Sequence, residues 1–285
     1  MKKIFFLFLI LAFSVKTTAQ LNEATDLTEK DMEQYAVPFV TSVGTWLNSG
    51  GYHSASVSKM FGVKISLLGM VMLIPDDQLT FKLKNGTETA TVFGDKGASV
   101  PGTNGYLVYP PGFNQNKIPA AIPQIAVSTL GSELMLRFFP KTSFDSVNVN
   151  LLGIGVKHSI SQYIPLCPVD IAVQVMYNTI SMDNNDFDLS TKNWAFNAHV
   201  SRSFGLFSVY GGLQYEQSQM NINYVYTGNA LGGLLEDKEF SVDMKGDNKM
   251  RITVGAALRF AFFVINADAS LGAQNVFVTG INFEF

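Results

Sequence analysis

The sequence predicts an all-β protein: a closed antiparallel transmembrane β-barrel whose lumen is plugged by an N-terminal amphipathic helix. Three observations predict it. Apolar residues alternate with small polar ones along many successive segments. An apolar leader opens the chain, yet no later run approaches the roughly 20 apolar residues of a membrane helix. Only 15% of the residues are charged, where an ordinary soluble domain carries roughly 25%.

The leader sets the compartment. Met1-Lys2-Lys3 is a short positive start, Ile4 to Val15 is apolar, and Thr17-Thr18-Ala19 supplies small residues before a cut at Gln20. Residues 1–19 therefore read as a secretory signal peptide. No cysteine follows the cut, so no lipid anchor is expected there. Removing three lysines with the leader leaves 17 basic against 23 acidic residues, a net charge of −6, which argues against a nucleic-acid partner. The single Cys167 excludes a disulfide scaffold and a cysteine-based metal cluster.

Residues 20–59 form the lead-in. Thr28-Glu29-Lys30-Asp31 is a helix start. Met32, Tyr35, Ala36, Phe39, Val40, Val43, Trp46 and Leu47 then follow helical spacing, which predicts one amphipathic helix over 29–47. Pro38 is expected to kink it, and Asn48-Ser49-Gly50-Gly51 to end it.

From residue 60 to 285 the period is two. Val169, Ile171, Val173, Val175 and Tyr177 share one face; so do Trp194, Phe196, Ala198 and Val200, and Ile252, Val254, Ala256, Leu258 and Phe260. The alternation predicts strands near 60–74, 78–93, 124–139, 146–158, 168–182, 189–202, 205–227, 249–260, 262–272 and 275–285, with 239–245 extending or adding one. The Pro- and Gly-rich stretch 95–123 reads as a long irregular loop. About ten to twelve strands fit the length (about 10–14 at the limits), a size whose lumen is narrow and readily filled.

Charge decides which face meets lipid. Lys64, Glu133, Arg137, Lys157, Asp170, Glu216, Arg251, Arg259, Asp268 and Glu284 all fall opposite the apolar rows. Their neighbours on that face are mostly Asn, Ser, Gln, Gly and Ala, as in a crowded interior rather than a wet sheet surface. Barrel closure follows, because an open edge in lipid leaves backbone groups unpaired. Acid and base are nearly balanced among these lumen charges, so they read as a bracing network, with a selectivity constriction as the alternative. Lys64 on the first strand and Glu284 on the last are expected to meet where the barrel closes. In the final strand Phe277, Ile281, Phe283 and the terminal Phe285 share one face. That pattern resembles the C-terminal signal read by the outer-membrane barrel assembly machinery. Tyr177, Trp194, Tyr215, Tyr224 and Tyr226 are expected near strand ends as an aromatic girdle, or as lining of a hydrophobic ligand site.

Several motifs carry a resemblance. They are Leu47-Asn48-Ser49-Gly50-Gly51-Tyr52, Leu134-Met135-Leu136-Arg137-Phe138-Phe139-Pro140, Gly153-Ile154-Gly155-Val156-Lys157-His158 with Gln162-Tyr163-Ile164-Pro165, and Tyr210-Gly211-Gly212-Leu213-Gln214-Tyr215-Glu216. In these the chain resembles a family of bacterial outer-membrane β-barrel proteins of uncharacterised role, themselves distantly similar to the fatty-acid and aromatic-hydrocarbon transporter barrels. The resemblance implies an outer-membrane location, a plugged lumen and passage of small hydrophobic molecules. No binding residue is carried over from it.

No phosphate loop, dinucleotide fingerprint, nucleophile elbow or zinc spacing is present in the sequence. Asn197, His199 and Ser201 are hydrolase residue types on one strand face. Successive same-face side chains point side by side, so lumen lining is the expectation and no catalytic, cofactor or metal site is assigned. Three roles stay open: a barrel passing small hydrophobic compounds, a structural or surface-loop barrel, and an outer-membrane hydrolase.

Overall fold

A computed structural model describes residues 29–102, 105–144, 147–184, 187–226 and 238–285. The expected signal peptide, the Thr28 cap and residues 20–28 lie outside the described residues.

Helix α1 spans Glu29–Leu47 and continues through Pro38. Among the described residues fifteen strands follow: β1 Gly62–Leu73, β2 Thr80–Lys82, β3 Glu88–Ala90, β4 Ser99–Gly102, β5 Gly105–Val108, β6 Lys117–Thr129, β7 Ser132–Phe144, β8 Val147–Ser159, β9 Asp170–Asp183, β10 Phe187–Phe204, β11 Phe207–Tyr226, β12 Lys238–Lys245, β13 Met250–Phe260, β14 Phe263–Leu271 and β15 Asn275–Glu284. Ten of them close an antiparallel barrel in the order β1-β6-β7-β8-β9-β10-β11-β13-β14-β15, and β15 pairs back to β1. Strand β12 is the extra one. It pairs with the upper half of β11, from Gln219↔Lys245 to Tyr226↔Lys238, while β13 takes the lower half. Between the two halves β11 advances four residues and its partner five, so Gly246-Asp247-Asn248-Lys249 holds a bulge.

The ten strands are not the ten that the alternation marks out. The predicted strand 78–93 is instead a small β2–β3 hairpin outside the barrel wall. Its Asn85-Gly86 turn, with Gly86 at φ 86°, reverses the chain within the alternating run. The predicted strand 124–139 is really two. Leu130 (φ 51°) and Gly131 (φ 72°) form a two-residue turn between β6 and β7, a position where leucine is rarely found. The segment 95–123 is not wholly irregular: it holds the β4–β5 hairpin and the start of β6. Two misplacements thus cancel in the strand number.

The barrel has two unlike ends. Tight turns at 130–131, 205–206 and 261–262 and the longer 160–169 segment mark the hairpin end. The excursion 74–116 marks the loop end, and it carries β2 to β5 with cores of its own around Leu83, Val100, Leu107 and Tyr109 and around Ile74, Val92 and Phe93. Among the described residues no helix is long and apolar enough to cross a membrane.

One correction concerns the lumen face, which is not polar throughout. Toward the hairpin end the wall faces inward with Lys64, Ser66, Gln174, Asn197, His199, Asn266 and Asn282 and outward with Ile65, Val173, Phe196 and Ile281. Toward the loop end the polarity inverts. Strand β10 turns Lys192 and Asp188 outward and Leu189 inward; β11 turns Gln217 and Gln219 outward and Met220 inward. On β8 and β9 the buried residues become Val147, Val149, Ile180 and Met182. On β8 to β11 the inward–outward alternation runs on through this height; what changes is which of the two faces is apolar. Helix α1 lies inside this apolar collar: Val40, Val43 and Leu47 share one core with residues of β1, β6, β8, β9, β10, β11, β12 and β15. Apolar inside and polar outside is the pattern of a wet protein, and the reverse is the pattern of a barrel in lipid.

Candidate functional site

The candidate site is the filled lumen. Its upper part is helix α1, and its lower part is the extended segment 48–61 that leads into β1. Asn48 N still bonds Gly44 O at 2.9 Å, and Gly50 at φ 66° ends the helical path. The helix seats closely: a Cβ on Gly44 would overlap Ser218 of β11. The β12–β13 bulge aims Asn248 inward, where its Nδ2 donates to Thr45 Oγ1 at 2.8 Å, and Asp247 N donates to Thr41 Oγ1 at 3.0 Å. Gln274 donates to Pro38 O at 2.9 Å and accepts from Ser42 Oγ at 2.7 Å.

Two arginines hold the lower end of the helix. Arg137 is fully buried; its Nη1 donates to Leu47 O at 2.6 Å, its Nη2 to Ser49 O at 2.8 Å and its Nε to Gln124 Oε1 at 3.0 Å. The negative end of the helix thus meets a buried cation. Arg251 Nη2 pairs with Glu216 Oε1 at 2.8 Å and also reaches Thr45 O at 3.4 Å, while its Nη1 bonds Ser49 Oγ. Gln214 links Asn48 O at 3.1 Å to Glu216 Oε2 at 2.8 Å. Buried cations of this kind are retained only with several well-placed acceptors, which the helix end supplies.

A second cluster closes the hairpin end. Glu133 lies 3.0 Å from both Lys64 and Lys157. Glu284 lies 3.9 Å from Lys64 and bonds Arg259. The register sets Lys64 directly opposite Glu284 where β1 meets β15. His53 Nε2 donates to Glu284 Oε1 at 2.7 Å. Burial and then the nearby Lys64 charge hold the His53 imidazole below its ordinary pKa, so this contact is a hydrogen bond from a neutral ring and not an ion pair. Burial also pushes the Tyr52 phenol up to about 12. The segment is strapped to the rim by Ala55 N to Ser201 Oγ at 2.9 Å, Gly131 N to Ser58 O at 3.0 Å and Leu130 N to Lys59 O at 3.0 Å.

The sequence-selected charges therefore fall into separate groups. Lys64, Glu133, Lys157, Arg259 and Glu284 come together, and Glu216 meets Arg251. Arg137 serves main-chain carbonyls rather than a carboxylate. Asp268 accepts from Tyr210 Oη at 2.9 Å, and Asp170 sits part-buried at the start of β9. The residues that complete the site but carry no charge, Gln124, Gln214, Asn248 and Gln274, were not singled out by the sequence. The break in alternation at Gly246-Asp247-Asn248 is a local signal that could have found Asn248.

The hydrolase residue types do not form a relay. His199 Nδ1 bonds Asn197 Oδ1 at 2.8 Å and its ring stacks on Tyr52 at 3.9 Å, while Ser201 Oγ is taken by Ala55. A Ser132–His158 contact of 2.8 Å does exist on the outer face. The other ring nitrogen, Nε2, lies 3.1 Å from Gln162 Nε2 and 3.0 Å from Tyr163 Oη, and among the described residues no carboxylate orients the ring as a relay would require. Among the described residues no group of three or more His, Cys, Asp or Glu is placed to hold a metal ion.

Fold and interior define a closed ten-stranded barrel of the outer-membrane type, filled by its own N-terminal segment. The chain belongs to a family of unknown function, DUF6588, which matches residues 1–285. No curated protein matches it. Among solved structures it is similar to the translocator domain of the autotransporter NalP from Neisseria meningitidis, at 11% identity, 95% of this chain, 99% of that one and a TM-score of 0.35. It is similar to Ail, the attachment invasion locus protein of Yersinia pestis, at 8% identity, 79% and 99% coverage and a TM-score of 0.23. It is also similar to the P. putida toluene transporter TodX, at 7% identity, 80% and 89% coverage and a TM-score of 0.25.

Proposed function

We propose that the protein is an exported, integral outer-membrane barrel that its own N-terminal segment keeps closed. Its resting role is then structural, exercised through the loop-end collar and the 74–116 excursion rather than through an open pore. The observation that carries this reading is the pair of buried arginines on the helix end. Removing the plug would strand two cations and several main-chain carbonyls together. Lipid solvates the outward belt, and the assembly machinery reads the final strand through Phe277, Ile281, Phe283 and Phe285. Reconstituted protein in planar bilayers should show no steady conductance. A stable ohmic pore from the full mature chain would refute the reading.

A second reading, passage of small hydrophobic compounds when the plug shifts, is favoured by the collar. It is apolar and rich in methionine (Met70, Met72, Met182, Met220 and Met244), side chains that repack readily around varied shapes. Uptake of a monoaromatic compound by proteoliposomes above that of empty vesicles is expected on this reading alone.

A further inference from the structure

The polarity inversion fixes one boundary of the apolar belt. On β10 and β11 the outward row is apolar up to Trp194 and Tyr215 and polar from Lys192 and Gln217 onward. Trp194 stacks with Phe196 and lies against Tyr177, as aromatic residues at a membrane boundary do. Asn48 Nδ2 reaches Trp194 O at 3.4 Å, so the helix end is level with this row.

At the hairpin end no inversion occurs. The outward rows stay mostly apolar into the turns, interrupted by Arg202 on β10 and by Ser132 and His158 on β7 and β8. Leu130 is 77% exposed, Leu166 100%, Leu206 60%, Phe262 53% and Phe285 70%, with Met60 at 80% and Phe61 at 75% beside them. Every connection at this end therefore carries a large bare apolar side chain.

Length decides what covers them. From Trp194 to Phe204 is ten residues, roughly 33 Å along a strand at about 3.3 Å per residue. At the usual tilt of about 35–45° that is about 23–27 Å of height, against an apolar band of about 25 Å. The row matches the band with almost nothing to spare, which sets Phe204 and the turns beyond it at the edge of the band. A barrel raised to place its turns in water would draw Lys192 and Gln217 into hydrocarbon. The exposed charges at this rim are Lys59, Arg202 and Arg259, all basic; Arg259 is held by Glu284, and the Arg202 guanidinium lies 5.3 Å over the Phe204 ring. Such side chains cover an apolar surface with their stems and reach phosphate with their heads.

We infer that the hairpin end is a lipid-docking surface: its turns are sunk in an anionic phospholipid leaflet, flush with the membrane, while the collar and its helix stand out of it on the other side. This rests on the outer-membrane reading and adds depth, orientation and the class of lipid headgroup.

The test uses the full mature chain with Cys167→Ser, reconstituted in phosphatidylethanolamine–phosphatidylglycerol vesicles. Single substitutions Leu130→Cys, Leu206→Cys and Phe262→Cys carry an environment-sensitive fluorophore, with Val254→Cys as the mid-belt site and Asn221→Cys as the collar site. Retained heat-resistant gel mobility selects folded variants. The turn sites should be quenched by lipids labelled near the glycerol and be several-fold less open to aqueous iodide than Asn221→Cys. If the turn sites are as open to iodide as Asn221→Cys while Val254→Cys is lipid-quenched, the inference is overturned and the turns are free for a soluble protein partner. If Val254→Cys is open to iodide as well, the membrane reading falls with it.

Discussion

Replacing Arg137 by methionine should free the lower end of the plug while leaving the barrel closed. The guanidinium makes three contacts of 2.6 to 3.0 Å, two of them to the main-chain carbonyls of Leu47 and Ser49. Methionine keeps most of the stem volume and removes every donor. Each stranded buried acceptor is worth about 1–3 kcal/mol, and relief from burying the cation offsets part of the sum, so a net loss of about 2–4 kcal/mol is expected. Spread over the local opening equilibrium, that is roughly 30- to 700-fold faster exchange of protected amides. Hydrogen–deuterium exchange of peptides covering 41–51 in micelles reads it, with peptides of β13 and β14 as internal reference. Arg137→Lys should recover only part, since an ammonium cannot span both carbonyls as a planar fork does. Unchanged protection over 41–51 in Arg137→Met would refute the claim that this side chain anchors the plug.

Gly44→Ala should loosen the helix through its overlap with Ser218, and Ser218→Gly should restore the thermal midpoint of the heat-resistant band; a double variant no better than the single would count against that contact. Glu133→Gln leaves Lys64 and Lys157 facing each other without their shared carboxylate, so a loss of about 3–5 kcal/mol in urea unfolding is expected, and an unmoved midpoint would show the cluster to be dispensable. The His53 ring is held below its ordinary pKa, so below about pH 6.5 the released segment binds a proton that the seated one does not. The seat is therefore fully held above that pH and weakens as pH falls through it; protection over 50–60, taken relative to the intrinsic amide exchange rate at each pH, should fall between pH 7 and 5 in the native chain and much less in His53→Gln.

The two ends of the chain show how much was legible beforehand. Helical spacing from Met32 to Leu47 marks α1 because one stripe must meet an apolar wall, and the helix ends at Leu47 as the Asn-Ser-Gly-Gly run indicates. Alternation marks the wall strands because a barrel wall has two unlike solvents. It misled at 78–93 and 124–139, where the period runs through a turn and only strand pairing reveals the reversal. The phase change at Lys192 and Trp194 was present in the residues as well. It acquires meaning only when the same change falls at one height on neighbouring strands.

By itself the sequence determined the local grammar of this protein: an apolar leader, one amphipathic helix, period-two strands and a set of charges opposite the apolar rows. Those follow from repeat distances within single segments. The tertiary structure decided what each charge answers to. Arg137 was a lumen cation in the sequence and became a helix cap in the fold, because its acceptors lie about 90 residues away and are set by the register of strands around a closed ring. Which face of the wall is apolar at each height was fixed in the same way, by the alignment of many short rows that no single row contains.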